Sequence, residues 1–274
     1  MDLADLSHLP SGFWVGVAAL WGLVWGSFAG VVVYRLPRQL LGEEGLGLCF
    51  PASHCAACQH PLRWWHNLPV FSYVCLRGRC GFCGAPIGLA NLGLELVFAL
   101  VWVACVLHLG PGREALVWGA FFSVLVVLSF IDAQTLLLPD VLTLPLALVG
   151  LLLSLAGWTG VDGLSALLGA GLGWGMLAGV AWVFERWRGV AAMGGGDPKL
   201  MAALGAWLGF PALLPLLLMS SLLHLAYALV LTGGRRQQEV PFGPAMAVAA
   251  AIYWIFREQA WMQVLTGGLS GPLG

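Results

Sequence analysis

The sequence predicts an all-α polytopic membrane protein of about eight transmembrane helices, with a small polar loop domain between the first and second spans. Three observations carry that prediction. Of the 274 residues, 60% are hydrophobic and only 9% are charged, far more apolar than a soluble domain. The apolar residues form runs of membrane-crossing length, too many and too long for one signal peptide. The longest hydrophilic stretch, residues 35–86, separates the first run from the rest and holds two pairs of closely spaced cysteines. A net charge of −1 has nothing to set against a phosphate backbone, which excludes nucleic-acid binding.

The first span is expected over residues 12–34, where Gly22, Gly26 and Gly30 repeat at the spacing that suits close helix packing in lipid. The second follows at 88–109. The third, 114–131, runs into Leu128-Ser129-Phe130-Ile131-Asp132. The fourth, 138–157, opens on Leu138-Pro139-Asp140, where Asp140 is a candidate cap. The fifth, 161–184, repeats the glycine spacing at Gly171, Gly175 and Gly179, with Asp162 as a loop or cap residue before it. A sixth run, 199–210, is short. It can tilt, re-enter, or merge with the seventh, 212–232, through Pro211 and Pro215. The eighth is expected over 244–264. A small, polar tail at 266–274 is expected to be disordered.

Charge sets the orientation. In alternate connections of an eight-span chain, one side collects Arg35, Arg38, Arg63, Arg77, Arg79, Arg186, Arg188, Lys199, Arg235 and Arg236. The other collects only Arg113 and Arg257. The positive-inside rule makes the first side cytoplasmic and puts both termini outside.

The polar segment carries Cys55-Ala56-Ala57-Cys58 and Cys80-Gly81-Phe82-Cys83, separated by 21 residues. Each C-x-x-C pair is expected to fold as a tight turn that shows both sulfurs to one ion. Four thiolates at this spacing suit tetrahedral zinc, and a cytoplasmic loop disfavours disulfides. A metal can stand in for the core that so small a segment cannot build. His54, His60 and His66 lie close by but are read as surface residues, since four cysteines complete the shell. Cys49, Cys75 and Cys105 are read as small apolar residues, with Cys49 close enough to the loop to be a spare thiol. The connector at 42–50, with Glu43, Glu44 and Cys49, carries no reading.

Ionisable residues near a bilayer core are costly and mark function by default. Asp132 ends the third span. Asp197 closes a glycine loop, Gly194-Gly195-Gly196-Asp197-Pro198-Lys199, 65 residues further on but on the same predicted face. Two carboxylates in a partly dry site can share one proton and activate water. Glycines let an extended substrate backbone come close. A plainer role for Asp197 is N-cap, with Pro198 at the first helical position. On chemistry alone Asp140 competes evenly with Asp132 as the partner of Asp197. Adjacency suggests that Lys199 favours the ionised form of Asp197. Nucleotide-binding and H-E-x-x-H signatures are absent.

These residues together resemble the bacterial type IV prepilin peptidases (leader peptidase/N-methyltransferases), membrane aspartic proteases of the GxGD type. The resemblance rests on Gly26-Ser27-Phe28, Val33-Tyr34-Arg35-Leu36-Pro37 and Pro51-Ala52-Ser53-His54-Cys55. It continues through Trp64-Trp65-His66-Asn67-Leu68-Pro69, Ser72-Tyr73 and Leu76-Arg77-Gly78-Arg79-Cys80, then Phe130-Ile131-Asp132, Leu138-Pro139-Asp140 and the stretch from Gly194 to Leu200. It implies an inner-membrane enzyme that removes the leader of prepilins and pseudopilins on the cytoplasmic side. It also implies methylation of the new N-terminus with S-adenosylmethionine. Carried onto this chain, the catalytic pair falls on Asp132 and Asp197, which decides against Asp140, and the zinc ligands fall on Cys55, Cys58, Cys80 and Cys83.

The implied division is a first span within 1–34, a zinc-binding and methylation-associated domain at 35–87, a peptidase domain at 88–265, and a tail at 266–274. Where the family shows Arg-Tyr-Pro before a glutamate, Leu89-Ala90-Asn91-Leu92-Gly93-Leu94-Glu95 keeps only the glutamate. A peptidase without methylation is therefore the nearest alternative. A transporter using the aspartates as a proton relay would be expected to show internal repeats, and the halves show none. A zinc-stabilised scaffold without catalysis is the third reading.

Overall fold

The structure is a computed structural model that describes residues 9–43, 45–55, 57–189, 194–232, 240–259 and 266. Among these residues the chain is helical: α1 Ser11–Leu40, α2 Phe71–Cys75, α3 Leu89–Leu109, α4 Arg113–Thr135, α5 Asp140–Leu155, α6 Gly163–Arg188, α7 Gly196–Leu208, α8 Leu213–Thr232 and α9 Gly243–Phe256. The chain divides into two compact units, Met1–Ser123 and Val124–Gly274.

Among the described residues, five helical stretches are long and apolar enough to cross a membrane: Ser11–Leu40, Leu89–Leu109, Arg113–Thr135, Gly163–Arg188 and Phe210–Val230. These five account for part of the expected set of about eight spans, and two further apolar helices, Asp140–Leu155 and Gly243–Phe256, are shorter. The expected end of the eighth span, most of the tail, Glu44, and Arg235 and Arg236 lie outside the described residues.

In the first unit α1 and α3 pack antiparallel. A Cβ on Gly22 would lie 2.7 Å from the Ala99 Cα, and one on Gly26 would lie 2.7 Å from the Glu95 Cα. On Gly30 it would lie 3.2 Å from the Asn91 Oδ1. Partner numbers fall as glycine numbers rise, so the small-residue stripe lets the two backbones meet, as expected. α1 also runs beyond the expected end at 34. Pro37 removes only one helical N–H. The buried Arg35 then spends its guanidinium on the Gly47 and Pro51 carbonyls, at 2.7 and 2.8 Å, which folds the connector back on the helix. Arg38 lies 3.8 Å from Glu43, which gives that connector residue a partner. At the other end of the unit, Gly119 admits the Trp102 ring, whose Nε1 donates to the Ser123 hydroxyl at 3.1 Å.

The second unit is built around α7. Ten of its 13 residues, from Asp197 to Leu208, are buried. A largely buried helix rich in Ala and Leu has the hydropathy of a membrane span, and the short run expected at 199–210 falls on it. Its length is set instead by Gly209, whose φ of 81° ends the helix in a conformation that favours glycine. A turn at Phe210–Ala212 then leads into α8, so α7 and α8 remain separate.

α6 meets α7 where Gly169 faces Gly205 backbone to backbone, and where a Cβ on Gly173 would lie 2.8 Å from the Met201 carbonyl oxygen. The row expected to do this, Gly171, Gly175 and Gly179, faces away and meets nothing within 4 Å. Both rows have the same spacing, so spacing alone does not choose between them. α5 is pinned to α7 by the Trp207 Nε1, which donates to the Leu146 carbonyl at 2.8 Å beside the space left by Gly150. The Ser154 hydroxyl donates to the Ala206 carbonyl at 3.1 Å. Truncating a buried Trp of this kind costs about 3–5 kcal/mol. These contacts fix the C-terminal half of α7, and Asp197 sits in the first turn of that same helix.

Candidate active site and metal centre

Asp132 lies in the last turns of α4 and is 4% exposed. Its Oδ2 accepts the backbone N–H of Gly243 at 2.8 Å, from the turn that opens α9. A Cβ on Gly243 would lie 2.8 Å from that same oxygen and 3.3 Å from Leu138 Cδ2. A side chain at 243 would therefore displace the carboxylate or the turn. His224 of α8 closes this side, its ring edge-on to Phe242 with 5.1 Å between centroids. Gly243 is the residue that sequence reasoning missed. The available signal was the turn Pro241-Phe242-Gly243-Pro244 immediately before the last apolar run.

Asp197 is 9% exposed, in the first turn of α7. The capping alternative fails: the helix begins at Gly196, Gly195 occupies the N-cap position, and no side chain caps it. Asp197 is thus a buried carboxylate without a structural hydrogen-bonding duty at the helix start. Leu138 lies against both neighbours of the site, since a Cβ on Gly196 would lie 2.6 Å from Leu138 Cβ while Gly243 approaches its Cδ2. Asp197 precedes the apolar body of α7. Burial pushes its carboxyl up to about 6, and the charge of Asp132 pushes in the same direction. The charge of Asp132 therefore acts on Asp197 within the second unit.

The competitor Asp140 is placed differently. It is exposed, in the first turn of α5, and receives the Lys199 ammonium at 2.7 Å on both oxygens. Lys199 is therefore committed to Asp140, which corrects its expected role toward Asp197. Asp162 caps α6, accepting from the Leu164 and Ser165 N–H groups at 3.0 and 3.1 Å, as expected.

The four cysteines of the first unit converge. The sulfurs of Cys55, Cys58, Cys80 and Cys83 all lie within 4.8 Å of one another, with Cys55 and Cys83 3.9 Å apart. Tetrahedral zinc with about 2.3 Å Zn–S bonds needs sulfurs about 3.8 Å apart, so the cluster fits that ion. The two pairs sit in matched turns. His54 bridges to Pro61 across the first, and Arg79 to Pro86 across the second. The residue after each second cysteine, Gln59 or Gly84, has φ of 59° or 71° and donates its N–H back to the first cysteine's carbonyl, at 2.9 Å in both.

Backbone N–H groups of Cys58 and Ala57 point at the Cys55 sulfur and lower that thiol to about 6. At Cys83 a backbone bond from Ala85 acts in the lowering direction. Desolvation and the three neighbouring thiols outweigh it and push the group up to about 11. His60 stacks on Phe82 at 3.7 Å and lies outside the thiol cluster, in keeping with its reading as a surface residue. Of the remaining cysteines Cys105 is buried as expected, whereas Cys49 and Cys75 are exposed.

Comparison with known proteins follows the same division. Residues 20–109 match the bacterial peptidase A24 N-terminal domain, and residues 119–229 match the type IV leader peptidase family. A prepilin leader peptidase/N-methyltransferase of Burkholderia pseudomallei (strain K96243) is 40% identical over 93% of this chain and 89% of its own length. One of Klebsiella pneumoniae is 44% identical over 76% of this chain and 91% of its own. One of Neisseria gonorrhoeae is 36% identical over 96% and 97%. No solved structure matches the chain. With relatives this similar along nearly its whole length, the chain belongs to the type IV leader peptidase family.

Proposed function

We propose that the protein is a membrane aspartic endopeptidase that removes the leader of type IV prepilins and of type II secretion pseudopilins and then N-methylates the new N-terminus. The observation that carries the proteolytic half is the pair Asp132 and Asp197. Both are buried, each lacks an ion-pair partner among the described residues, and the charge of one acts on the other. One carboxylate, ionised, takes a proton from water as that water attacks the scissile carbonyl. The other, protonated, donates a hydrogen bond to the carbonyl oxygen and later a proton to the leaving amine. The dyad titrates as a unit. The Gly243 N–H holds the Asp132 carboxylate in place, and the glycines before Asp197 admit an extended substrate backbone.

The names of the relatives support the methylating half. S-adenosylmethionine would supply an electrophilic methyl group to the new amine. Zinc on Cys55, Cys58, Cys80 and Cys83 would hold residues 35–87 together. The excess of Lys and Arg on one set of connections supports an inner-membrane location with the aspartates facing the cytoplasm.

The test is cleavage of a synthetic prepilin by purified protein in detergent. Asp132→Asn and Asp197→Asn should each abolish leader removal while the protein remains folded. Full cleavage by either variant would remove the dyad assignment.

A further inference from the structure

Methylation needs a place for a cationic donor, and the aspartate pair offers none that proteolysis does not use. The first unit contains a cavity of about 930 Å³. Its walls are apolar where Val24, Phe28 and Val31 of α1 face Leu92 of α3, and Asn91 and Glu95 supply polar groups. Among the described lining residues Glu95 is the single carboxylate, and it is 9% exposed. Its Oε2 accepts the Val70 N–H at 2.8 Å, and no cation pairs with it among the described residues. The Ser27 hydroxyl also bonds this carboxylate, but holding one N–H and one O–H requires only a neutral acceptor, and a buried charge is costly to keep for that purpose. Arg35 also lines the cavity, but its guanidinium is spent on two carbonyls.

We infer that this cavity binds the methyl donor, an adenosyl sulfonium, with Glu95 receiving the positive charge on sulfur. The inference rests on the methyltransferase half of the proposed function. A sulfonium has no N–H to donate, so a protein recognises its charge by a nearby anion, which Glu95 provides beside the apolar side chains of Val24, Phe28, Val31 and Leu92. Asn91 offers an amide that can bond the base or ribose, and Gly30 gives it room. The volume left over admits the incoming amine.

The experiment is equilibrium binding of labelled S-adenosylmethionine and of S-adenosylhomocysteine, which lacks the methyl and the sulfur charge, to the full chain in detergent. Leader removal reports that each variant is folded. Glu95→Gln keeps an acceptor for the Val70 N–H. It should weaken S-adenosylmethionine by about ten-fold or more and S-adenosylhomocysteine by less than about three-fold, as expected for loss of a desolvated charge partner. Val31→Trp, which fills the cavity from α1, should weaken both. Equal weakening of both ligands by Glu95→Gln, or of neither, overturns the role of Glu95. Unchanged donor binding with a raised KM for the peptide would give that charge to the substrate's amine instead and overturn the donor assignment. Unchanged binding in Val31→Trp overturns the cavity. A wild-type protein that cleaves but neither binds the donor nor methylates would refute the methyltransferase reading itself. One that does both, with neither variant affected, refutes only this site.

Discussion

Lys199 reaches from the first turn of α7 to set its ammonium 2.7 Å from both carboxylate oxygens of Asp140 in the first turn of α5. The pair links the starts of two helices that are also pinned by Trp207 and Ser154 further along. It neutralises the aspartate that rivals Asp132 on sequence grounds. Both partners are partly exposed, so its strength is that of a surface pair, about 1 kcal/mol at most. Asp140→Asn should therefore lower kcat/KM for prepilin cleavage by no more than about five-fold. Asp140→Lys with Lys199→Asp should recover most of the loss from either single substitution. Complete loss of cleavage in Asp140→Asn would return Asp140 to the catalytic pair.

Gly243 offers a sharper test, because its N–H and its missing side chain act on one oxygen. A methyl group there would meet Asp132 Oδ2 at 2.8 Å, too close for a real contact. Gly243→Ala should lower kcat by about ten-fold or more with KM little changed, since a misplaced carboxylate affects the reacting geometry more than substrate binding. Cleavage kinetics over a range of peptide concentrations separate the two parameters. An unchanged kcat would show that this N–H does not position Asp132.

What the sequence made legible was local. The two C-x-x-C turns, the capping role of Asp162 and the glycine stripe of α1 each depend on residues a few positions apart or on one helix face. What stayed hidden depends on distant partners. The Gly243–Asp132 bond spans 111 residues, and the Lys199–Asp140 pair spans 59. Hydropathy reads burial inside protein and burial in lipid alike, so it does not show that α7 is enclosed by its neighbours. Two glycine rows on α6 share one spacing, and only the position of α7 picks Gly169 and Gly173.

Burial raises the Asp197 carboxyl to about 6, against about 4 in an unfolded chain. A raised carboxyl favours the folded state where it is protonated. That contribution is fully present below about pH 4 and is lost as pH rises through about 6. Asp197→Asn removes the penalty of holding a buried charge at neutral pH. The variant should melt higher than wild type at pH 7.5, by on the order of 5 °C, and no higher near pH 4. Thermal unfolding in detergent at the two pH values checks the sign. A variant less stable than wild type at pH 7.5 would mean that the carboxylate has a partner that stabilises its charge.

The matched cysteine turns make a prediction in which one substitution helps and its counterpart harms. Gln59 and Gly84 occupy equivalent positions with φ of 59° and 71°, a region where a side chain costs about 1 kcal/mol and a β-branched one more. Nothing lies within 4 Å of a Cβ on Gly84, so the penalty there is conformational and not a clash. Gln59→Gly should relieve strain in the first turn, and Gly84→Val should add it to the second. Since metal binding and folding of this segment are coupled, the strain should appear in the affinity for zinc. Competition with a chelator should strip zinc from Gly84→Val at a lower chelator concentration than from wild type, and from Gln59→Gly at an equal or higher one. Elemental analysis of the untreated proteins should find one zinc per chain in all three. Less than half an equivalent in folded wild-type protein would rule out the four-thiolate site.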